Sequence, residues 1–250
     1  MKQSNEVLLE VSNLSVEFSG FKALTDVSMK VYEGELRVII GPNGAGKTTL
    51  MDLITGKTTP TGGRVFFRKK DITGKPTPEI ARHYSIGRKF QGPNVFDNMS
   101  VKENIEIAME GCSSLLKCIL FRKSEGFRER VNDILKLIEL HAYRHSMAGD
   151  LSHGQRQWLE MGMVVAQNPK LIILDEPTAG MTADETYKTG EMIKKLKGAH
   201  TLIVVEHDMD FVRQVAEYVS VLNYGKLLAE GTMEEVERNE EVIAVYLKED

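Results

Sequence analysis

One short stretch near the start of the chain restricts its fold more than anything else in it. Leu36-Arg37-Val38-Ile39-Ile40 is a compact, largely β-branched run, and it breaks directly into Gly41-Pro42-Asn43-Gly44-Ala45-Gly46-Lys47-Thr48. After the glycines, residues 47–55 resume with Leu50, Met51 and Ile54 at helical spacing. Buried strand, glycine-rich loop and helix, in that order, make up the phosphate-loop pattern. Glycines let successive backbone N–H groups turn inward on phosphate oxygens, and the helix N-terminus adds partial positive charge. Lys47 is placed to bridge the β and γ phosphates, as binding and as catalytic group, and the Thr48 hydroxyl to ligate Mg2+. Gly41, Pro42, Asn43, Gly44, Ala45, Gly46, Lys47, Thr48 and Thr49 are therefore the candidate nucleotide contacts. A glycine-rich turn of no function would leave the Lys-Thr pair unexplained. The expected fold class is α/β, with a phosphate-loop NTPase core.

The rest of the chain can be arranged around that core. Residues 7–18 alternate loosely into a Ser19-Gly20 turn, and residues 23–31 read as a second strand, which together suggest an antiparallel β subdomain. From about residue 92 to residue 153 the texture changes: residues 101–110 and 127–140 show helical apolar spacing, as expected of a helical insertion. Leu171-Ile172-Ile173-Leu174 and Leu202-Ile203-Val204-Val205 are almost wholly apolar, and each meets acidic or His residues at once. They read as buried parallel strands whose C-terminal ends carry chemistry. Asp175 is then the candidate metal carboxylate, and Glu176, one residue further, the candidate base that polarises the attacking water. His207, at the end of the next strand, is placed to donate a hydrogen bond to the γ-phosphate, although a histidine at a strand end is commonly structural. Thr232 with Glu235 offers a capping box for a final helix, and residues 242–247 give the tail an apolar face.

Composition narrows the function. A chain of 250 residues can bury a substantial core without disulfides or metal, and a net charge of −4 argues against a surface that wraps nucleic acid. The longest basic cluster, Arg68-Lys69-Lys70, reads as a solvated hairpin tip. Cys112 and Cys118 lack zinc-like spacing or partners. The opening residues lack a signal-peptide profile, and no stretch is apolar enough for a membrane span, so a partner is expected to supply any membrane attachment.

Leu151-Ser152-His153-Gly154-Gln155, just ahead of the Asp175 strand, resembles the signature motif of ABC ATPases, with His153 where glycine is commoner. The resemblance covers essentially the whole chain and implies an ABC ATPase core with an antiparallel β subdomain and a helical insertion subdomain. Its approximate bounds are 1–91 and 160–250 for the core with the β subdomain, and 92–159 for the helical part with the signature. In that family the signature of one subunit completes the ATP site of another, so Ser152, Gly154 and Gln155 are candidate nucleotide contacts in a dimer; Ser152 is also a plain helix N-cap. Phe18 matches the aromatic that stacks on adenine, with Phe21 a competitor and a core role open to either. Gln91, in Lys89-Phe90-Gln91, matches the glutamine that senses metal and γ-phosphate and links to the membrane subunit. Pro177-Thr178-Ala179-Gly180-Met181-Thr182 occupies the position of the D-loop, with Thr182 where many members carry Asp. The implied cofactors are ATP and Mg2+.

The runs Gly87-Arg88-Lys89-Phe90-Gln91 and Ala179-Gly180-Met181-Thr182, with the signature through Glu160, resemble the ATP-binding subunits of urea-type importers, relatives of the branched-chain amino acid importers. The expected function is ATP hydrolysis energising uptake of a small polar solute, urea or a short amide, with a branched-chain amino acid importer as the alternative. More distant alternatives are a non-transport ABC ATPase and a nucleotide-sensing module. The implied partners are a second ATPase subunit, identical or related, transmembrane permease subunits and, indirectly, a periplasmic or extracellular solute-binding protein, on the cytoplasmic side of the membrane. Residues 115–121 are apolar enough for a membrane-subunit contact or for an ordinary core segment.

Overall fold

The structure, a computed structural model, describes residues 6–89, 94–109 and 125–246. Two sheets organise them. The chain opens with β1 (Val7–Phe18) and β2 (Phe21–Tyr32), an antiparallel pair in which Phe18 faces Phe21 across the turn. β4 (Gly62–Phe67) and the short β5 (Lys70–Asp71) complete a sheet of order β2-β1-β4-β5. β2 extends beyond residues 23–31 at both ends, because the pairing with β1 continues from the turn to Val7 and Tyr32. Between β4 and β5, Arg68 and Lys69 both have positive φ, as a tight hairpin turn requires. Both are exposed, and Arg68 pairs with Glu33.

The second sheet has the order β10-β9-β3-β8-β7-β6. β3 (Leu36–Ile40) lies between β8 (Thr201–Val205) and β9 (Tyr218–Asn223); β7 (Leu171–Asp175) and β6 (Ile86–Lys89) continue it in parallel, and β10 (Lys226–Gly231) closes the far edge antiparallel. Strands alternate side chains between faces, and here both faces are covered, which is why β3, β7 and β8 are apolar almost without interruption. Ile39, Ile173, Ile203 and Val205 pack on one face with the helix Lys47–Ile54 and the antiparallel sheet. Val38, Ile40, Ile172, Leu174, Leu202 and Val204 pack on the other with the helices Val101–Met109, Glu125–Leu137, His153–Ala166 and Ala183–Leu196. Full burial of each such side chain is worth about 1.5–3 kcal/mol, so the layering fixes where every strand ends.

The helix expected over residues 127–140 spans Glu125–Leu137. Its apolar pattern outruns it because the chain closes with Glu139 at positive φ and Leu140 N–H donating to the Leu135 carbonyl at 2.9 Å. That is a Schellman closure, and it keeps Ile138 and Leu140 buried after the helix has ended. The Thr232–Glu235 capping box forms at the start of helix Met233–Glu237, and Val242 is buried in the following helix Glu240–Tyr246. Gln91, Cys112, Cys118 and residues 115–121 lie outside the described residues.

Candidate active site

The glycine-rich loop leaves the C-terminal end of β3 and turns against its neighbours so closely that side chains are excluded. A Cβ on Gly41, whose φ is +153°, would stand 2.1 Å from the Leu222 carbonyl oxygen of β9. One on Gly46, at φ +101° immediately before the helix Lys47–Ile54, would stand 2.9 Å from the Ala23 carbonyl oxygen of β2. The loop is thus clamped between the two sheets. Its helix begins without an acidic residue in the first turn or a side-chain cap, leaving the N-terminal amides and the helix dipole for an anion. The buried Lys47 ammonium donates to the carbonyls of Gly41 at 2.6 Å and Pro42 at 3.0 Å.

Above the loop lies an open cleft of about 370 Å³. Asn43, Gly44, Ala45, Gly46, Lys47, Thr48 and Thr49 line it, with Phe18, Phe21 and Ala23 on the β-sheet side and Glu176 at the end of β7. Phe18 is 45% and Phe21 69% exposed, so neither belongs to the core and both remain available to an aromatic base.

Asp175 and Glu176 diverge sharply. Asp175, the last residue of β7, is 1% exposed; its Oδ2 accepts from the Arg88 guanidinium at 2.9 Å, and its Oδ1 has no hydrogen-bond partner among the described residues. A buried carboxylate oxygen without a partner is costly, and its chemistry fits a hard divalent cation such as Mg2+. Glu176 breaks from the strand at φ +47°, a left-handed conformation that costs an acidic residue about 1–3 kcal/mol. Its N–H donates to the Val205 carbonyl at 2.9 Å, which turns the carboxylate out of the sheet and into the cleft.

His207 follows β8. Its side chain is 63% exposed, with Nδ1 4.0 Å from Glu176 Oε1 and 3.7 Å from Glu206 Oε2. The structure thus brings together the phosphate loop, Phe18, Glu176 and His207 at one sheet edge, with Asp175 beside them. It keeps Ser152, Gly154 and Gln155 away from the cleft. Ser152 caps the helix His153–Ala166 in a reciprocal capping box with Gln155, and both line a separate hollow of about 390 Å³ with Trp158, Thr182 and Glu185. A chain that offers its signature elsewhere has it available to a second molecule.

Two residues escaped the sequence reading. Arg88 donates to Asp52 at 2.6 Å and to Thr55 at 3.2 Å besides Asp175, so it ties the phosphate-loop helix to the end of β7. Glu206 is 1% exposed and accepts from both the amide and the hydroxyl of Thr178, which fastens the segment that follows Glu176. The signal for Glu206 was present: an acid that completes an otherwise apolar buried strand needs a partner. Lys89 and Glu160 form a further buried ion pair at 3.4 Å, in which burial pushes the Glu160 carboxyl up against the opposing pull of Lys89.

Comparison with known proteins agrees with this architecture. The family model described as ABC transporter matches residues 24–179, and the one described as Branched-chain amino acid ATP-binding cassette transporter matches residues 226–247. The high-affinity branched-chain amino acid transport ATP-binding protein LivG of Salmonella typhimurium is 36% identical over 98% of this chain and 99% of its own. BraF of Pseudomonas aeruginosa, described in the same words, is 36% identical over 97% and 98%. Among solved structures, the ADP conformation of an ATP-binding cassette of an ABC transporter superposes with a TM-score of 0.83 at 35% identity, covering 96% of this chain and 98% of that one. A dimeric post-hydrolysis ATP-binding cassette bound to ADP and Pi gives 0.75 at 27% identity, covering 90% and 99%. These relatives favour the branched-chain amino acid importers and lend no support to the urea reading. The chain belongs to the ABC transporter family and is an ATP-hydrolysing ATP-binding subunit.

Proposed function

We propose that this chain energises an importer of branched-chain amino acids from the cytoplasmic side of the membrane. The observation that carries the solute reading is likeness at both ends of the molecule. Relatives named for that transport align over nearly the whole chain, and the branched-chain model matches residues 226–247, which contain β10 and the two closing helices. Two cassettes, two copies or this chain with a related one, sandwich two ATP molecules, each between one chain's phosphate loop and the other's signature. The helix N-terminus behind Ser152, with Gly154 and Gln155, is suited to a γ-phosphate supplied from the partner's side.

The geometry of the described residues supports the following roles, and the sequence resemblance adds that of Gln91. Backbone amides of residues 41–49 hold the phosphates, Lys47 moves from the loop carbonyls to the β and γ phosphates, and Phe18 or Phe21 stacks on adenine. Asp175 and Thr48, with Gln91, would hold Mg2+, which supplies neutralising charge on the phosphates. Glu176 takes a proton from the attacking water as the water oxygen bonds to the γ-phosphorus, and the bond to the β–γ bridging oxygen breaks to give ADP and phosphate. His207 donates to the γ-phosphate oxygens. ATP binds the closed pair better than the open pair, so binding drives closure, and loss of the γ-phosphate reopens it and moves the attached permease subunits. A solute-binding protein delivers the solute on the other side.

Glu176→Gln tests the mechanism: the variant is expected to lose hydrolysis and to accumulate as a Mg-ATP-bound dimer by light scattering, whereas hydrolysis at the parent rate would remove Glu176 from its role. The solute is tested in vesicles carrying the chain with its membrane subunits and binding protein. Stimulation of ATP turnover by leucine, isoleucine or valine is expected. Stimulation by urea and not by these would overturn the branched-chain reading.

A further inference from the structure

The signature departs from its commoner form at His153, and the structure gives that imidazole a specific task. His153 Nε2 lies 3.0 Å from the carbonyl oxygen of Ala179. A carbonyl can only accept, so the ring nitrogen carries the proton and donates. The Gln157 amide nitrogen, one turn further along the same helix, lies 3.3 Å from His153 Nε2 and donates more weakly to the same carbonyl, at 3.5 Å. Gly180, at φ +74°, presents its bare backbone to the ring: a Cβ there would stand 3.1 Å from His153 Nε2. Gly154 makes the matching concession, since its own Cβ would stand 2.4 Å from the Glu185 carboxylate, which completes the capping box with Thr182. Deeper in, Trp158 Nε1–H donates to Thr189 Oγ1 at 2.8 Å, and the Thr189 hydroxyl contacts Met181 Sδ at 3.2 Å.

These contacts seat the helix His153–Ala166 on residues 179–189. That segment begins three residues after Glu176, and the residue just before it, Thr178, is held by the buried Glu206 through its amide and hydroxyl. A short peptide carrying the catalytic carboxylate is therefore fixed at Thr178 by the core and at Ala179 by the signature.

We infer that His153 is a positioning residue that couples this chain's signature to its own catalytic carboxylate, and so links the two ATP sites of a dimer. The inference rests on the sandwich proposed above, in which Glu176 acts at its own phosphate loop while the signature acts on the partner's nucleotide. Within one chain, the imidazole then makes the shorter of two hydrogen bonds from the signature helix, the surface that senses one ATP, to the peptide carrying the group that hydrolyses the other. Glycine at this position has no donor, and alanine has none either. Glutamine places an amide N–H near the position of Nε2, whereas asparagine is too short to do so.

The test compares His153→Ala, His153→Gln and His153→Asn with the parent, each with Glu176 intact, and each again in the Glu176→Gln background for dimerisation. Coupling energies between sites commonly correspond to about fivefold or more. The expected result is an ATP turnover lowered by about that factor in His153→Ala and His153→Asn. ATP dependence in these two variants loses its cooperativity, while nucleotide affinity of the monomer and the melting temperature stay at parent values. His153→Gln restores both turnover and cooperativity. The fluorescence of Trp158, the sole tryptophan in the sequence, reports on the same seat and should respond to Mg-ATP in the parent and the Gln variant only. Parent-like cooperativity in His153→Ala, or equal behaviour of the Gln and Asn variants, would overturn the coupling while leaving the sandwich intact. Failure of the Glu176→Gln chain to dimerise with His153 present would overturn the sandwich and the coupling with it.

Discussion

At the scale of single residues, the site is set by atoms that have no room to move. Gly41 is the sharpest case, because its missing Cβ would overlap a backbone carbonyl of β9 instead of the tip of a flexible side chain. Gly41→Ala must push the loop off the sheet, and displacements of this kind cost about 1–3 kcal/mol. ATP affinity by calorimetry should therefore fall by about tenfold or more, and parent-like affinity would show that the clamp is irrelevant to binding. Arg88 makes the second case. Its guanidinium serves Asp52, Thr55 and Asp175 together at 4% exposure, so Arg88→Gln strands the fully buried Asp175 carboxylate. Removing one partner of a buried pair costs about 3–5 kcal/mol, and urea unfolding should register a loss of that order. Adding Asp175→Asn should return part of it, since the stranded charge is then gone; strict additivity of the two changes would mean that the pair is not coupled. Of these residues, sequence pattern alone pointed to Gly41 and Asp175. Arg88 could not be found that way, because its partners lie far along the chain and only the order β3-β8-β7-β6 gathers them.

At the scale of elements, what was legible were the features that repeat. Alternation in β1, the largely apolar runs of β3, β7 and β8, the N-cap at Ser152 and the capping box at Thr232 all follow from a period or a fixed spacing, and the structure forms each of them. Legibility failed where tertiary contact overrides local pattern: the Schellman closure at Glu139 ends a helix inside its own apolar stripe, and β2 lengthens because β1 is there to pair with it. The buried Lys89–Glu160 pair between β6 and the signature helix is of the same kind. Burial raises the Glu160 carboxyl above its ordinary value, so the folded state holds that proton to higher pH than the unfolded chain does. The sign then follows from linkage: Glu160 by itself favours the fold most below its unfolded pKa, and this contribution is lost as pH rises through the raised folded value. Lys89→Met with Glu160→Leu removes both desolvated charges. The double variant is expected to be as stable as the parent or more so, by up to about 4 kcal/mol in urea, with a smaller loss as pH rises above the ordinary carboxylate range. Either single variant is expected to be less stable, because it leaves a buried charge alone. A double variant weaker than both singles would show that the pair contributes more than it costs.

At the scale of the whole molecule, the chain divides its chemistry between two places that it cannot bring together. The phosphate loop and Glu176 share one cleft, with His207 beside Glu176, and Ser152 and Gln155 line another hollow. An assembly is the arrangement in which both serve one nucleotide, and the same logic extends to the membrane. Among the described residues no helix is long and apolar enough to cross a bilayer, and the net charge of −4 offers no general attraction to an anionic lipid surface. The transporter role proposed above supplies attachment through contact with a permease subunit. After cell breakage, the chain produced by itself should remain in the supernatant of a high-speed spin, and co-production with its membrane subunits should move it to the membrane pellet. Because that contact is between proteins and not with lipid headgroups, raising salt should release only part of it, whereas a purely electrostatic surface association is screened over about 8 Å at physiological ionic strength and would be lost. Sedimentation with protein-free anionic vesicles would sink this account, since it would place the membrane-binding surface on the cassette itself.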